Sequence, residues 1–255
     1  MHKISNATAD RLATTDAVLE RLLRRYARNE AAITVNFRRL ASRLSTPERA
    51  THLIHSYPAK LLMHIPYFFL ANTVLSKPGD LVLDPFCGSG TVLLESLLAE
   101  REALGVDSNP LACLISRVKT TPIVAKQLAR ASSGLLSRIS DEPNTSPPDV
   151  VNIDHWFYPH VVKQLLCIRE AIGSTRDLAI REFFLVSFSQ CVRKVSLADP
   201  HLAVPVRLQH GQYPATHRLS EKTNAHLRRL RRINVRKVFA DILDTNAKRL
   251  VCRNR

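Results

Sequence analysis

Leu81-Val-Leu-Asp-Pro-Phe-Cys-Gly-Ser-Gly-Thr91, followed by Gly105-Val-Asp107, is the stretch whose reading decides the fold. Leu81 to Leu83 make a short buried strand that stops at Asp84. Pro85 removes a ladder donor, while Gly88 and Gly90 allow backbone angles and a close ligand approach that a Cβ would forbid. A helix from Thr91 to Ala99 then points free N–H groups and a positive dipole end at the turn, which makes it a cradle for a polar ligand. A second strand, Ala103 to Val106, ends in Asp107, about where a dinucleotide-type unit places its ribose-binding acid. Strand, turn, helix, strand and terminal acid in register point to a nucleoside cofactor rather than a structural turn. The nicotinamide fingerprint is incomplete, because Leu93 stands where its third glycine belongs.

At these residues the chain resembles the S-adenosylmethionine-dependent amino-methyltransferases that modify DNA at adenine N6 or cytosine N4. Asp84-Pro-Phe-Cys-Gly-Ser-Gly-Thr91 looks like their motif I and Gly105-Val-Asp-Ser-Asn-Pro110 like motif II. Upstream, His55-Ser-Tyr-Pro-Ala-Lys60 looks like the companion motif at the methionine end of the cofactor. The resemblance covers roughly residues 52 to 118. It implies an α/β, Rossmann-like class I methyltransferase fold, incomplete here, with helical N- and C-terminal additions. It also implies S-adenosyl-L-methionine as cofactor, held by Tyr57, Lys60, Asp84, Phe86, Gly88, Ser89, Gly90 and Thr91, with Asp107 on the ribose and Lys60 toward the carboxylate. Restriction-modification is the setting of such enzymes.

The resemblance breaks at the catalytic loop. These enzymes hold the target amine with Asp, Asn or Ser followed by Pro-Pro and an aromatic, which draws on the N–H protons and stacks on the flipped base. The only Pro-Pro here is Ser146-Pro147-Pro148-Asp149, whose fourth residue is an acid. Asp141-Glu-Pro-Asn-Thr145 before it is not an apolar strand, so Ser146, Pro147 and Pro148 are weak catalytic candidates. The catalytic half is expected from a further C-terminal segment or a partner subunit; a fragment, a split pair and a decayed copy stay open.

Across 255 residues, 37 Lys and Arg against 22 acids give a net charge of +15, which suits a polyanionic partner. DNA is the expected partner, with RNA less favoured; the alternative readings are an RNA methyltransferase and a non-catalytic nucleic-acid-binding or assembly subunit, and a basic solvated surface is the bland reading of the charge. Arg228, Arg229, Arg231, Arg232 and Arg236 are the nucleic-acid-binding candidates. Cysteines 87, 113, 167, 191 and 252 form no C-x-x-C pair and no zinc-finger spacing, so reduced, mostly buried thiols and no metal site are expected. No signal-peptide core or membrane-length apolar run is seen, which places the protein in the cytoplasm by expectation.

The remaining pattern suggests four segments. Residues 1–50 are an N-terminal helical segment, with helical periodicity from 15 to 44. Residues 51–140 are the cofactor-binding unit, with helices expected from Pro66 to Leu75, from Pro110 to Val118 and over 123–140. Residues 141–206 are a helical insertion or second half after a proline-rich break, in which Trp156, Phe157 and Tyr158 read as core more than as a base-stacking platform. Residues 207–255 are a basic helical tail whose Val238, Phe239, Ile242, Leu243 and Leu250 form an apolar stripe.

Overall fold

A computed structural model describes residues 6–41, 50–58, 60–202 and 204–251, with residues 6–14 and 251 as backbone only. The chain divides into two compact units, one of Met1–Leu53 with Ala59–Thr121 and one of Ile54–Pro58 with Pro122–Arg255. The turn expected at Ser45 to Glu48 and the thiol of Cys252 lie outside the described residues.

The first unit opens with helix α1 (Asn6–Asn29). The helix expected to run from 15 to 44 is broken. Glu30 takes a left-handed φ of 48° and donates its N–H to the Tyr26 carbonyl at 2.7 Å, closing α1. Ile33, Thr34 and Val35 are β-branched and favour extended backbone. Helix resumes only at α2 (Phe37–Leu40), where the Asn36 side chain caps the Arg39 N–H at 3.2 Å. Helix α3 (His64–Leu70) starts before Pro66, whose missing N–H costs nothing in a first turn, and ends well before the expected Leu75. Asn72 explains the early stop. Its Nδ2 donates to the Phe68 and Phe69 carbonyls at 2.9 Å each, while its Oδ1 accepts from Val74 and Leu75, so the chain reverses. Buried Arg101 clamps the same corner, donating to the Ser76 hydroxyl at 3.0 Å and carbonyl at 2.6 Å.

Strand β1 (Leu81–Asp84) leads through the turn into α4 (Thr91–Leu98), then β2 (Glu102–Gly105) and α5 (Pro110–Thr120). β1 and β2 pair in parallel, from Leu81 opposite Glu102 to Asp84 opposite Gly105. This small parallel sheet beside α4 and α5 is compatible with part of a methyltransferase fold. Its strands are not the buried ones expected. Leu81 and Leu83 are 64% and 58% exposed, and Leu104 and Val106 are 54% and 55% exposed. α4 packs on the sheet, yet this apolar side is open, whereas parallel sheets normally have both faces covered.

The second unit is helical among its described residues: α6 (Ala125–Arg138), α7 (Ile153–Trp156), α8 (Pro159–Gly173), α9 (Leu178–Val195), α10 (Ser220–Leu230) and α11 (Val235–Val251). α11 packs on α9, α8 and α6. Phe239, Ile242, Leu243 and Leu250 are buried along it, the stripe the tail sequence carries, and they meet a core containing Phe183, Phe184 and Ile168. Asp177 caps α9 through the Ile180 N–H at 3.0 Å. Trp156 and Phe157 are only half-buried and line an apolar cavity of about 380 Å³ with Val192, Leu202 and Pro205.

Candidate functional site

The turn between β1 and α4 is held by its own carboxylates. Asp84 Oδ1 accepts from the Phe86 N–H at 3.2 Å, setting the first bend. The sheet ladder continues past the strands, with Val106 N–H to the Asp84 carbonyl and Cys87 N–H to the Val106 carbonyl, both at 2.9 Å. Asp107 therefore stands beside the turn. Its Oδ2 accepts from the Gly88 N–H and its Oδ1 from the Asn109 N–H, both at 2.8 Å. Asn109 in turn caps α5 through the Leu111 N–H, and Pro110 occupies the first helical position. One acid thus ties the glycine turn to the second strand–helix junction, and each oxygen keeps a further lone pair for a ligand.

Gly88 and Gly90 both have positive φ, 49° and 73°. For Gly90 the need for glycine comes from inside the protein: a Cβ there would lie 2.6 Å from Ser116 Cβ and 2.9 Å from Ser116 Cα on α5. Leu93, at the position of the absent third glycine, fills the space above Gly105, where a Cβ would lie 2.6 Å from Leu93 Cδ1. Small residue and large have exchanged places between helix and strand. Phe86 is 87% exposed at the tip of the turn, an apolar ring standing in solvent. Thr91 is buried at the start of α4.

Behind the turn lies a buried polar group that the sequence reading missed. Ser89 Oγ accepts from Lys119 Nζ at 3.2 Å, and Lys119 has no exposed surface. Its carbonyl accepts from Thr51 Oγ1 at 2.9 Å. His52 Nε2 and Glu95 Oε1 are 2.7 Å apart, both buried. Burial outweighs Glu95 and pushes His52 below its ordinary range, so a neutral imidazole donates Nε2–H to the carboxylate. Lys60 Nζ donates to the His52 carbonyl, and burial lowers its titration too. Burial, then the nearby Lys60 charge, brings Lys119 down to about 7. The signal was present: Lys119 follows Ala112, Ile115, Ser116 and Val118 on the buried stripe of α5, and Glu95 lies among the leucines of α4.

The other candidates lie in the second unit. Tyr57 is half-buried in the Ile54–Pro58 segment. Ser146, Pro147 and Pro148 are exposed in irregular backbone, and no strand leads into them. The segment is pinned to α8 by Glu170, whose carboxylate accepts from the Asn144 N–H at 3.0 Å and from the Thr145 N–H at 2.8 Å and hydroxyl at 2.6 Å. These bonds, the Thr145 hydroxyl foremost, hold Glu170 below the usual carboxylate range. Arg228, Arg229, Arg231 and Arg232 are exposed at the end of α10 and the following turn. Arg236 is engaged, donating to the Ser140 carbonyl and pairing with Asp141 at 2.9 Å.

Among the described residues the thiols of Cys87, Cys113, Cys167 and Cys191 are free, and burial raises Cys87 and takes Cys191 to about 12. No group of three or more metal-ligating side chains occurs among the described residues, and no helix there is long and apolar enough to cross a membrane.

Residues 57–117, which contain the turn, Asp107 and Lys60, match the model of a DNA methylase family. The chain is 38% identical over 156 residues to the type II methyltransferase M.MvaI of Kocuria varians, an alignment covering 57% of this chain and 34% of the relative. It is 31% identical over 100 residues to the type II methyltransferase M.MjaII of Methanocaldococcus jannaschii, covering 38% of this chain and 18% of the relative. It is also 51% identical over 57 residues to the type II methyltransferase M.EcaI of Enterobacter cloacae, covering 22% of this chain and 12% of the relative. This chain spans about a third or less of the curated relatives it matches. No solved structure matches it. Over the matched stretches, then, the chain is similar to DNA methyltransferases.

Proposed function

We propose that this chain is the cofactor-binding part of an S-adenosylmethionine-dependent methyltransferase of Rossmann-like class I fold, acting on an exocyclic amino group of DNA. The observation that carries this reading is the turn itself: Gly88 N–H on Asp107 at 2.8 Å, with the left-handed Gly90 opening α4, inside the stretch matched by the DNA methylase family. The residues fit the cofactor. Asp107 retains acceptor capacity for ribose hydroxyls, Phe86 offers an apolar ring to a flat base, and the N-terminal end of α4 favours the negative end of an amino acid. When bound, S-adenosylmethionine supplies an electrophilic methyl group. The chain's own residues orient it: Asp107 on the ribose, Asp84 shaping the turn, Lys60 toward the carboxylate, with Ser89 and Thr91 completing the set.

Transfer needs more than this site. A target amine must be held in line with the methyl group and its lone pair freed from the ring. Ser146-Pro-Pro-Asp149 is poorly suited to that task, since Asp149 cannot stack on a base and Glu170 holds the preceding residues on α8. We therefore assign the catalytic loop to a further C-terminal segment or a partner subunit. The open apolar side of β1 and β2 supports this, because it is the surface that additional elements of a doubly wound sheet would cover. The exposed arginines at 228, 229, 231 and 232 suit the phosphate backbone of DNA.

The test is tritiated methyl transfer to unmodified DNA of mixed sequence, with and without a supplied C-terminal partner. The chain alone is expected to bind S-adenosylmethionine yet transfer no methyl at a useful rate. Robust transfer by the chain alone, lost on Ser146→Ala or Pro147→Ala, would show that the degenerate loop is catalytic.

A further inference from the structure

The second unit carries two cavities that share a wall. One, of about 510 Å³, is lined by Arg193, Lys194, Asp199, His226, Arg229 and Asp241. The other is the apolar cavity of about 380 Å³ that Trp156 and Phe157 line. Arg193, Ala198 and Asp199 line both, so the two adjoin. A short antiparallel pairing builds the wall: Ala198 bridges Arg207, with Asp199 N–H on the Val206 carbonyl and Leu208 N–H on the Leu197 carbonyl, both at 2.8 Å. Leu197 N–H also donates to the Trp156 carbonyl at 2.8 Å, which ties the aromatic corner to that wall. In the larger cavity three fixed cations, Arg193, Lys194 and Arg229, stand against two carboxylates. The carboxylates are engaged: Asp199 Oδ1 accepts from the His201 N–H at 2.8 Å, and Asp241 pairs with Lys237 at 3.9 Å. None of the three cations makes an ion pair with a described residue. Arg193 donates to the Leu202 carbonyl at 2.9 Å and Arg229 to His226 Nδ1 at 3.3 Å, which leaves Nε2 as the donor of that ring.

We propose that the two cavities together hold one unpaired nucleotide of a DNA strand, its base in the Trp156–Phe157 cavity and its phosphate among Arg193, Lys194 and Arg229. This rests on the DNA reading above and not on the cofactor site. A nucleotide is a flat ring joined through a sugar to an anion, and the two surfaces it needs stand side by side here. The indole and phenyl rings offer flat apolar faces, a contact that every base can make. Asp199 on the shared wall repels an anion, so the phosphate is held on the side of the cations from α9 and α10. Both volumes fall within the roughly 300–1,000 Å³ of ligand sites. An intact duplex does not present this ligand, because its bases are stacked and paired. The strand continues over Arg228, Arg231 and Arg232, which are exposed beside Arg229 in sequence. A merely solvated basic face needs no apolar cavity next to it. A core cluster would not leave Trp156 and Phe157 half-buried around open space.

Trp156 is the one tryptophan of the chain, so its emission reports this cavity alone. The experiment titrates the whole chain with oligodeoxythymidylate, following Trp156 emission and, separately, the anisotropy of a labelled strand. Saturable quenching is expected. Lys194→Gln and Arg229→Gln, both at exposed positions, should each weaken the strand about tenfold, as for one charge-assisted hydrogen bond. Lys126→Gln, exposed on α6 and outside both linings, should leave the affinity unchanged. Phe157→Ala should weaken the strand about fivefold or more through lost stacking. If that variant fails to fold, the two exposed ones still decide, since unchanged affinity in both would overturn the proposal. A strand of the same length whose sugars carry no bases should bind without quenching. Thymidine monophosphate that bound as tightly as the strand would make this a free-nucleotide site and overturn the proposal. Strand binding with Trp156 emission unchanged, or equal quenching by the baseless strand, would also overturn it and leave the DNA reading standing. Binding of neither strand nor duplex is a different result, which would defeat the DNA reading itself.

Discussion

Replacing Gly90 by alanine adds one methyl group and should cost the first unit much of its stability. Two effects contribute. A side chain in the left-handed region costs about 1–2 kcal/mol, and Gly90 has φ 73°. The new Cβ would also lie 2.6 Å from Ser116 Cβ and 2.9 Å from Ser116 Cα, and the second clash is with helix backbone that cannot rotate away. Overpacking of this kind costs about 1–3 kcal/mol. Together the loss is about 2–5 kcal/mol, out of a total on the order of 5–15 kcal/mol for a domain. Urea unfolding followed by far-ultraviolet circular dichroism measures it. Gly79→Ala is the control: its φ is 89° but nothing lies within 4 Å of the new Cβ, so it should lose only the backbone share. Adding Ser116→Gly to Gly90→Ala removes the closer clash and leaves the other, so a double-mutant cycle should show a favourable coupling of about 1 kcal/mol. A Gly90→Ala loss no larger than that of Gly79→Ala would refute the packing argument and return Gly90 to a role in ligand approach alone.

Asp107→Ala should weaken S-adenosylmethionine binding by about 1.5–3 kcal/mol, the loss of hydrogen bonds to a charged group, and equal binding in calorimetry would remove Asp107 from the site. The same variant should also raise hydrogen exchange at Gly88 and Asn109, whose amides it releases. Replacing Arg228, Arg229, Arg231 and Arg232 by glutamine should flatten the salt dependence of duplex DNA binding, by up to about 0.9 in slope for each phosphate no longer neutralised. Lys119 makes stability pH-dependent. The unfolded chain keeps its proton up to the ordinary 10.5 and the folded chain releases it at about 7, so between these values the unfolded state holds more protons and stability should rise with pH. Lys119→Met should remove that rise, and an unchanged slope in denaturation from pH 7 to 9 would show that another group is responsible.

The turn was legible because its determinants are local. Proline, two glycines and a helix-forming run fix a strand–turn–helix whatever surrounds them, and Pro110 after Asn109 fixes the next helix start in the same way. The apolar stripe of α11 was legible for the same reason, since one period of 3.6 residues selects its buried face. Helix ends were not: the Asn72 side chain stops α3, and Glu30 stops α1 with a left-handed φ and a backbone N–H bond, neither of which periodicity registers. Within the candidate site, residue types on the loop could be read along the chain. The partners behind it could not, because Ser89 and Lys119, or His52 and Glu95, are separated by 30 and 43 positions and meet only when α5 packs behind the turn and the segment carrying His52 packs against α4. The reason glycine is needed at 90 is also tertiary, since the clash belongs to Ser116 on another helix. Sequence alone determined that a glycine turn with an acid beyond the second strand would form. Only the folded chain decided what stands behind that turn and which side of its sheet is left open, because burial is a property of what packs against a residue and not of the residue itself.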